Sequence, residues 1–245
     1  MAKYVLLDNV NHKDLKIITD RSAKYGDSIP TVVTFPFEFR DILAHYPICF
    51  SKDPKSGQFH SIALLGFAEN ENLFLSEDGW DSSYVPLMIE RQPFSIGFQQ
   101  QGQSVSAEMQ RVVHVDMDSP RTNMEEGQNL FLQHGGTTTY LQRISSVLEA
   151  VYQGQQGSMK FIDALIKHQL LESFTLDVKL NDGSDNKLKG FYTINEDKLN
   201  ALPAETKVKL MDDGYLESIY MVLASFSNFR ALIERKNQKC SIPSH

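Results

Sequence analysis

Two short motifs place a histidine two residues before an aspartate, a spacing that is compatible with metal chemistry. They are His12-Lys13-Asp14 and His114-Val115-Asp116. On a β-strand the side chains at positions i and i+2 lie on the same face. One histidine and one carboxylate held in this way would supply two ligands of a facial iron site, and a distant histidine would supply the third. These residues predict a mononuclear Fe(II) oxygenase as one alternative. The other interpretation is structural, with each histidine bonded to its aspartate or exposed to solvent.

A second group of residues combines arginine with aromatic rings, which is typical of surfaces that bind peptides or small molecules. Arginine binds carboxylates through two parallel hydrogen bonds and stacks on rings. The candidates for ligand or partner binding are Trp80, Tyr84, Arg91, Phe94 and Arg121. The structural alternative pairs Arg91 with Glu90 and Arg121 with Asp118, which would leave neither guanidinium available to a ligand.

Other catalytic signatures are missing from the sequence. No G-x-S-x-G nucleophile elbow occurs, and neither glycine-rich phosphate-binding pattern follows a predicted strand. We therefore expect no cofactor, apart from Fe(II) under the oxygenase alternative, and the residues alone define no catalytic set.

Composition and charge limit the possible partners. Of the 245 residues, 41% are apolar and 22% are charged, which is typical of a folded globular protein. The net charge of −7 disfavours nucleic acid and anionic membranes as partners, because both require a basic surface. A peptide or protein partner is the remaining expectation, and the sequence leaves the oligomeric state open.

The cysteines and the N-terminus bear on localisation. Cys49 lies in an apolar run and is predicted to be buried, whereas Cys240 lies in a polar tail and is predicted to be exposed. The first apolar segment is too short for a signal peptide, and no run reaches the roughly 18 apolar residues of a membrane span. We expect a cytoplasmic protein, with export by a route without an N-terminal signal left open.

Hydrophobic patterns predict an α+β fold, with short antiparallel strands in the first half. Alternating or buried apolar runs indicate strands near residues 3–8, 14–18, 61–69 and 111–118, and Pro36 begins a short helix. The polar segment 99–110 is predicted to be a hairpin loop.

The second half is predicted to contain helices and one β-hairpin. Helical spacing covers 137–153, 157–170 and a stripe from Leu216 to Phe229, and two alternating runs flank the turn NDGSDN. No linker separates the halves. We predict a single domain, 1–245, with a β-rich lobe at about 1–136 and a helical lobe with the hairpin at about 137–237.

Many separate blocks, in order, resemble the bacterial SapC family over about residues 10–235. The most specific are YVPLMIERQPF and GFYTINEDKLNALP, with HKDL, YPICF and LLESFTLDV among the others. The family name comes from an association with bacterial surface layers, and no mechanism comes with the resemblance. It implies an accessory or binding protein that recognises a peptide, protein or enzyme partner. A structural component of a surface layer is a further alternative.

Overall fold

The computed structural model describes residues 3–100 and 109–241, in which the chain forms two compact units. The first unit comprises Met1–Asp27 and Leu87–Gln153, and the second comprises Ser28–Pro86 and Gly154–His245. Each unit takes residues from both halves of the chain and contains both strands and helices. The predicted α+β class is therefore confirmed, with most strands early and most helices late.

The strands of the described residues are mostly short. They are β1 (Tyr4–Leu6), β2 (Lys16–Ile17), β3 (Thr31–Val33), β4 (Ile48–Lys52), β5 (Phe59–Leu64), β6 (Leu75–Ser76), β7 (Gly79–Trp80), β8 (Phe94–Gln100), β9 (Met109–Asp116), β10 (Thr122–Asn123), β11 (Gln128–Asn129), β12 (Leu171–Lys179) and β13 (Asp185–Ile194). The helices are α1 (Phe39–Leu43), α2 (Leu87–Glu90), α3 (Thr139–Lys167), α4 (Glu196–Ala201), α5 (Ala204–Asp212), α6 (Tyr215–Ser225) and α7 (Asn228–Ser241), with 3₁₀ turns at Ala23–Tyr25 and Pro36–Glu38.

In the first unit an antiparallel sheet in the order β1-β9-β8 packs against the first turns of α3. The helix contributes Leu141, Ile144 and Leu148, whose spacing places them on one helical face. The sheet contributes Phe94 and Val115, both fully buried. A smaller sheet in the order β10-β2-β11 contributes further apolar residues of the same core.

The second unit is built on an antiparallel sheet in the order β12-β13-β4-β5-β3. In its core, the ring of Phe161 of α3 makes an edge-to-face contact with Phe39 and a tilted contact with Phe50. The hairpin β12–β13 confirms the strongest turn prediction, and its turn contains Gly183 at φ 84°. Asp182 shapes this turn by accepting a hydrogen bond from the Ser184 backbone amide at 2.9 Å.

Two helix boundaries differ from the prediction. The segments 137–153 and 157–170 form one continuous helix, which runs through Gly154. A Cβ at Gly154 would lie 2.5 Å from Phe37 and 2.7 Å from Phe35. The helix therefore continues through a residue that usually weakens it.

The apolar stripe predicted from Leu216 to Phe229 is divided between α6 and α7. Phe226 and Phe229 lie around the junction, and both pack against Phe174 of β12 with ring centroids 5.5 and 6.2 Å apart. Ile219 and Phe229 of the predicted stripe are buried, but Tyr220 is 53% exposed, and the sequence did not indicate the break between the helices.

Several local predictions are confirmed. Strands occur within or overlapping each of the four predicted segments as β1, β2, β5 and β9, and a short helix follows Pro36. Cys49 is buried and Cys240 is exposed, each as a free thiol. Residues 101–108, most of the predicted loop at 99–110, lie outside the described residues.

The described helices include no candidate membrane span, since none combines the required length and hydrophobicity.

Candidate functional site

The sheet β1-β9-β8 has two faces of different character. Cross-strand partners on antiparallel strands share a face, and the register pairs Leu6 with His114 and His114 with Ser95. Alternate residues such as Val115 and Phe94 turn the other way into the core. We call the surface opposite the core the outer sheet face, and its members are Tyr4, Leu6, Ser95, Gly97, Val112, His114 and Asp116.

The second His-x-Asp pair lies on the outer sheet face. His114 and Asp116 are two residues apart on β9, so their side chains leave the same face. The imidazole of His114 occupies the space above Gly97, where a Cβ would lie 2.6 Å from His114 Nε2. Asp116 accepts hydrogen bonds at Oδ1 from the backbone amides of Lys3 at 2.8 Å and Asp118 at 3.1 Å. The carboxylate therefore links the start of β1 to the turn that follows β9.

The first His-x-Asp pair has a different geometry from the one its spacing predicts. His12 Nδ1 accepts a hydrogen bond from the Asp8 backbone amide at 3.2 Å and lies 3.5 Å from Asp8 Oδ2. Asp14 is exposed. The histidine therefore contacts Asp8, which organises the turn after β1 by accepting hydrogen bonds from the amides of Val10 and Asn11.

The iron hypothesis requires a third ligand beside one of these pairs. Within residues 3–100 and 109–241, no three histidine, cysteine or acidic side chains are grouped so that they could hold a metal ion. The described side chains therefore give the Fe(II) alternative no ligand set to which a mechanism can be assigned.

The Arg91 side chain is hydrogen-bonded to the backbone of Phe94. Phe94 is fully buried in the core of the first unit, and its carbonyl accepts a hydrogen bond from Arg91 Nη1 at 2.6 Å. Burial lowers the pKa of Arg91, and the neighbouring Tyr4 side chain opposes that change. Arg91 therefore interacts with Tyr4 of the outer sheet face. The Phe94 ring packs against the opposite, core-facing side of the same sheet.

Arg121 lies in the interior of the first unit, with 1% of its surface exposed. Its Nη2 lies 2.5 Å from Oδ2 of the fully buried Asp27. Its Nη1 donates to the carbonyls of Ile18 at 3.1 Å and Asp20 at 2.8 Å. The predicted partner Asp118 is exposed, and this guanidinium instead ties its own segment to residues 18–27, about a hundred positions earlier in the chain.

Arg21 and Tyr140 also belong to the surroundings of Asp27, and sequence reasoning missed both. Arg21 Nη1 lies 3.5 Å from Asp27 Oδ1 and donates to the Ile89 carbonyl at 3.1 Å. Burial raises the pKa of Tyr140 to about 12, while Arg21 and Arg121 act in the other direction. No local pattern marks either residue, because the cluster forms only when distant segments pack together.

Trp80 and Tyr84 belong to the second unit, where they form a hydrogen-bonded aromatic cluster. Trp80 Nε1 donates to the Tyr46 hydroxyl at 3.0 Å and to the Tyr84 carbonyl at 3.2 Å. The Tyr84 hydroxyl donates to Oε1 of the buried Glu38 at 2.9 Å. Both side chains are partly buried, and these bonds direct their polar atoms toward the protein.

The candidate residues are therefore distributed over three places. His114 and Asp116 lie on the outer sheet face, with Arg91 beside it, whereas Arg121 belongs to the interior cluster around Asp27. Trp80 and Tyr84 form part of the second unit. The outer sheet face also contains Tyr4 and Leu6, which were predicted only as members of a strand.

The model of the SapC family matches residues 7–232 of the chain. No curated protein and no solved structure matches it.

Proposed function

Because the chain belongs to the SapC family, we propose that it is an accessory protein that binds a peptide or protein partner, including an enzyme, through the outer sheet face. The observation that carries the proposal is the exposure of neighbouring apolar side chains on this face. Tyr4 is 50% exposed and Leu6 is 39% exposed, and both leave the same side of β1.

The exposed apolar residues of β1 are continued on the next strand by Val112, which is partly buried. Leu6 lies opposite His114, and Val112 lies two residues before His114 on the same face of β9. Single exposed apolar residues are common on protein surfaces, whereas contiguous ones mark interaction sites. The strip from Tyr4 to Val112 thus has the apolar centre that a protein interface requires.

Polar groups at the margin of the strip provide a basis for specificity. Arg91 lies beside Tyr4, and Asp116 lies opposite Tyr4 on β9. Tyrosine and arginine are enriched among residues that dominate binding energy, since they combine large contact areas with directed hydrogen bonds. A partner with an apolar anchor and a polar rim would match this arrangement.

The outer sheet face is also supported from behind. Phe94, Val115 and Leu148 form part of the core under the sheet, and each is at most 2% exposed. A surface held in place by such a core loses little conformational entropy on binding, which favours affinity.

The test is affinity capture with matched variants, followed by reconstitution. The chain and its Tyr4→Ser/Leu6→Ser variant are immobilised and exposed to extract of the source organism, and bound proteins are identified by mass spectrometry. A partner recovered with the unaltered chain is then purified and mixed with each form. We expect the double substitution to weaken binding by at least about tenfold, the effect of losing one interface hot spot.

Leu132→Ser is the matched control, because Leu132 is 54% exposed in the same unit but lies outside the outer sheet face. Urea unfolding verifies that all forms have the same stability. Equal binding by the double variant and the control would contradict the proposal. Ordered self-assembly that the double substitution leaves intact would instead favour the surface-layer alternative.

A further inference from the structure

The interior cluster of the first unit brings two guanidinium groups to one buried carboxylate. Arg121 Nη2 lies 2.5 Å from Asp27 Oδ2, and Arg21 Nη1 lies 3.5 Å from Asp27 Oδ1. Asp27 also accepts a hydrogen bond from the Ser22 amide at 2.9 Å. Two cations facing one carboxylate leave a positive charge in surroundings that are largely removed from water, which costs free energy unless an anion balances it.

The second carboxylate of this region is already paired. Glu90 forms a two-point ion pair with Arg143, with distances of 2.9 Å from Nε to Oε1 and 3.1 Å from Nη2 to Oε2. Among the described residues of the cluster, three guanidiniums therefore accompany two carboxylates, Asp27 and Glu90. The surplus is one positive charge.

Hydrogen-bond donors accompany the surplus charge. Arg121 Nε is buried and has no hydrogen-bond partner among the described residues. Only the Nη1 atom of Arg21 makes hydrogen bonds to the described part of the chain. Tyr140 lies near both guanidiniums, and burial raises its pKa to about 12, so its hydroxyl is protonated at neutral pH and can donate.

Two members of the cluster are partly exposed to solvent. The Arg21 side chain is 15% exposed, and Tyr140 is partly exposed while its ring packs against Phe94 of the core. The ring contact holds the phenol in position, and the exposed parts of Arg21 and Tyr140 are where an anion would approach.

We propose that Arg21 and the Tyr140 hydroxyl bind a carboxylate group, with Arg121 adding positive charge from behind. The single surplus charge matches a carboxylate, which carries one negative charge, better than a phosphate group, which carries about 1.5 to 2 at neutral pH. The planar guanidinium also matches the two oxygens of a carboxylate. The carboxylate belongs either to a small organic acid or to the C-terminus of a peptide.

The experiment follows the arginine Nε–H signals by NMR during titration. The probes are acetate, N-acetyl-trialanine with a free C-terminus, the C-terminal amide of the same peptide, and inorganic phosphate at equal ionic strength. We expect saturable shifts with acetate or with the free-acid peptide, and none with the amide. Equal affinity for acetate and the free-acid peptide identifies a site for small acids, whereas at least about tenfold tighter binding of the peptide identifies its terminus as the ligand.

Three substitutions make the result specific. Tyr140→Phe keeps the ring packing and should weaken binding about tenfold, and Arg21→Gln should weaken it further. Arg40→Gln is the control, because Arg40 is an exposed arginine paired with Glu217 in the other unit. The proposal is overturned if carboxylates give no saturable shift, if phosphate alone binds, or if Tyr140→Phe and Arg21→Gln bind like Arg40→Gln. The site uses no residue of the outer sheet face, so its failure would leave the proposed function untouched.

Discussion

The imidazole of His114 on β9 occupies the space in which Gly97 on β8 would carry a side chain. A Cβ at Gly97 would lie 2.6 Å from Nε2 and 2.8 Å from Nδ1 of that ring, closer than van der Waals contact allows. Gly97 therefore lets the ring lie against the sheet, and the position of His114 shapes the middle of the outer sheet face.

Substitution of Gly97 tests this relationship. Gly97→Ala forces the His114 ring away from the sheet and should lower the free energy of unfolding by about 1–3 kcal/mol, as overpacking usually does. In a His114→Ala background the same change should be neutral or stabilising, because alanine is favoured over glycine in a strand. Urea unfolding of the four proteins measures the coupling. Additive effects of the two substitutions would show that the ring and the glycine are independent.

The two glycines of α3 should respond in opposite directions. Gly154→Ala places a Cβ 2.5 Å from the Phe37 ring and 2.7 Å from Phe35, so we expect a loss of about 1–3 kcal/mol in unfolding free energy. Gly157 has no neighbouring atom within 4 Å of a Cβ, so Gly157→Ala should stabilise the protein by up to about 1 kcal/mol through helix propensity. Thermal denaturation compares the stability of the two variants. A stabilised Gly154→Ala protein would contradict the close packing of Gly154 against Phe35 and Phe37.

Buried Glu38 should depend on its hydroxyl donors. Thr34 donates to Oε2 at 2.7 Å and Tyr84 donates to Oε1 at 2.9 Å. Removing one donor with Tyr84→Phe leaves a buried oxygen less well satisfied, and we expect a loss of about 1–3 kcal/mol in chemical denaturation. Tyr220→Phe is the matched control, since Tyr220 is 53% exposed, and its effect should be within about 0.5 kcal/mol. Equal stability of the two variants would mean that the Tyr84 hydroxyl bond contributes nothing.

Stability at alkaline pH should report the burial of Tyr140. Its pKa of about 12 in the folded protein exceeds the ordinary value of 10.0, because burial disfavours the phenolate, with Glu90 acting in the same direction and Arg21 and Arg121 opposing. A raised folded-state pKa means that the contribution to stability is complete below pH 10 and is lost as the pH rises from 10 to 12.

The difference in unfolding free energy between the unaltered chain and Tyr140→Phe isolates this contribution. It should fall steadily over the interval from pH 10 to pH 12. A difference that is constant across this interval would mean that the phenol titrates normally in the folded protein.

Local patterns predicted the elements of the fold more reliably than the site. The hairpin β12–β13 and the strand β9 depend on alternation and turn residues, which neighbouring positions determine. The continuity of α3 was missed. Gly154 packs against the Phe35 and Phe37 rings, more than a hundred residues away in sequence, so neighbouring positions do not reveal its role in packing.

The exposure of the aromatic and arginine residues was harder to predict for the same reason. Phe94 and Leu6 are both apolar residues of strands, yet the register of β8 and β1 against β9 buries Phe94 and exposes Leu6. Arg121 finds Asp27 at a separation of 94 residues. A single sequence does not determine such pairings, whereas the i, i+2 relationship of His114 and Asp116 follows from strand geometry alone.

Isothermal titration calorimetry of the purified partner against Leu6→Asp is the most direct test of binding through the outer sheet face. Burying a charge at this position in an apolar interface costs desolvation free energy. We expect at least about tenfold weaker binding, while Leu132→Asp, the exposed control outside the face, binds as the unaltered chain does. Unchanged affinity of the folded Leu6→Asp protein would contradict partner binding through the outer sheet face.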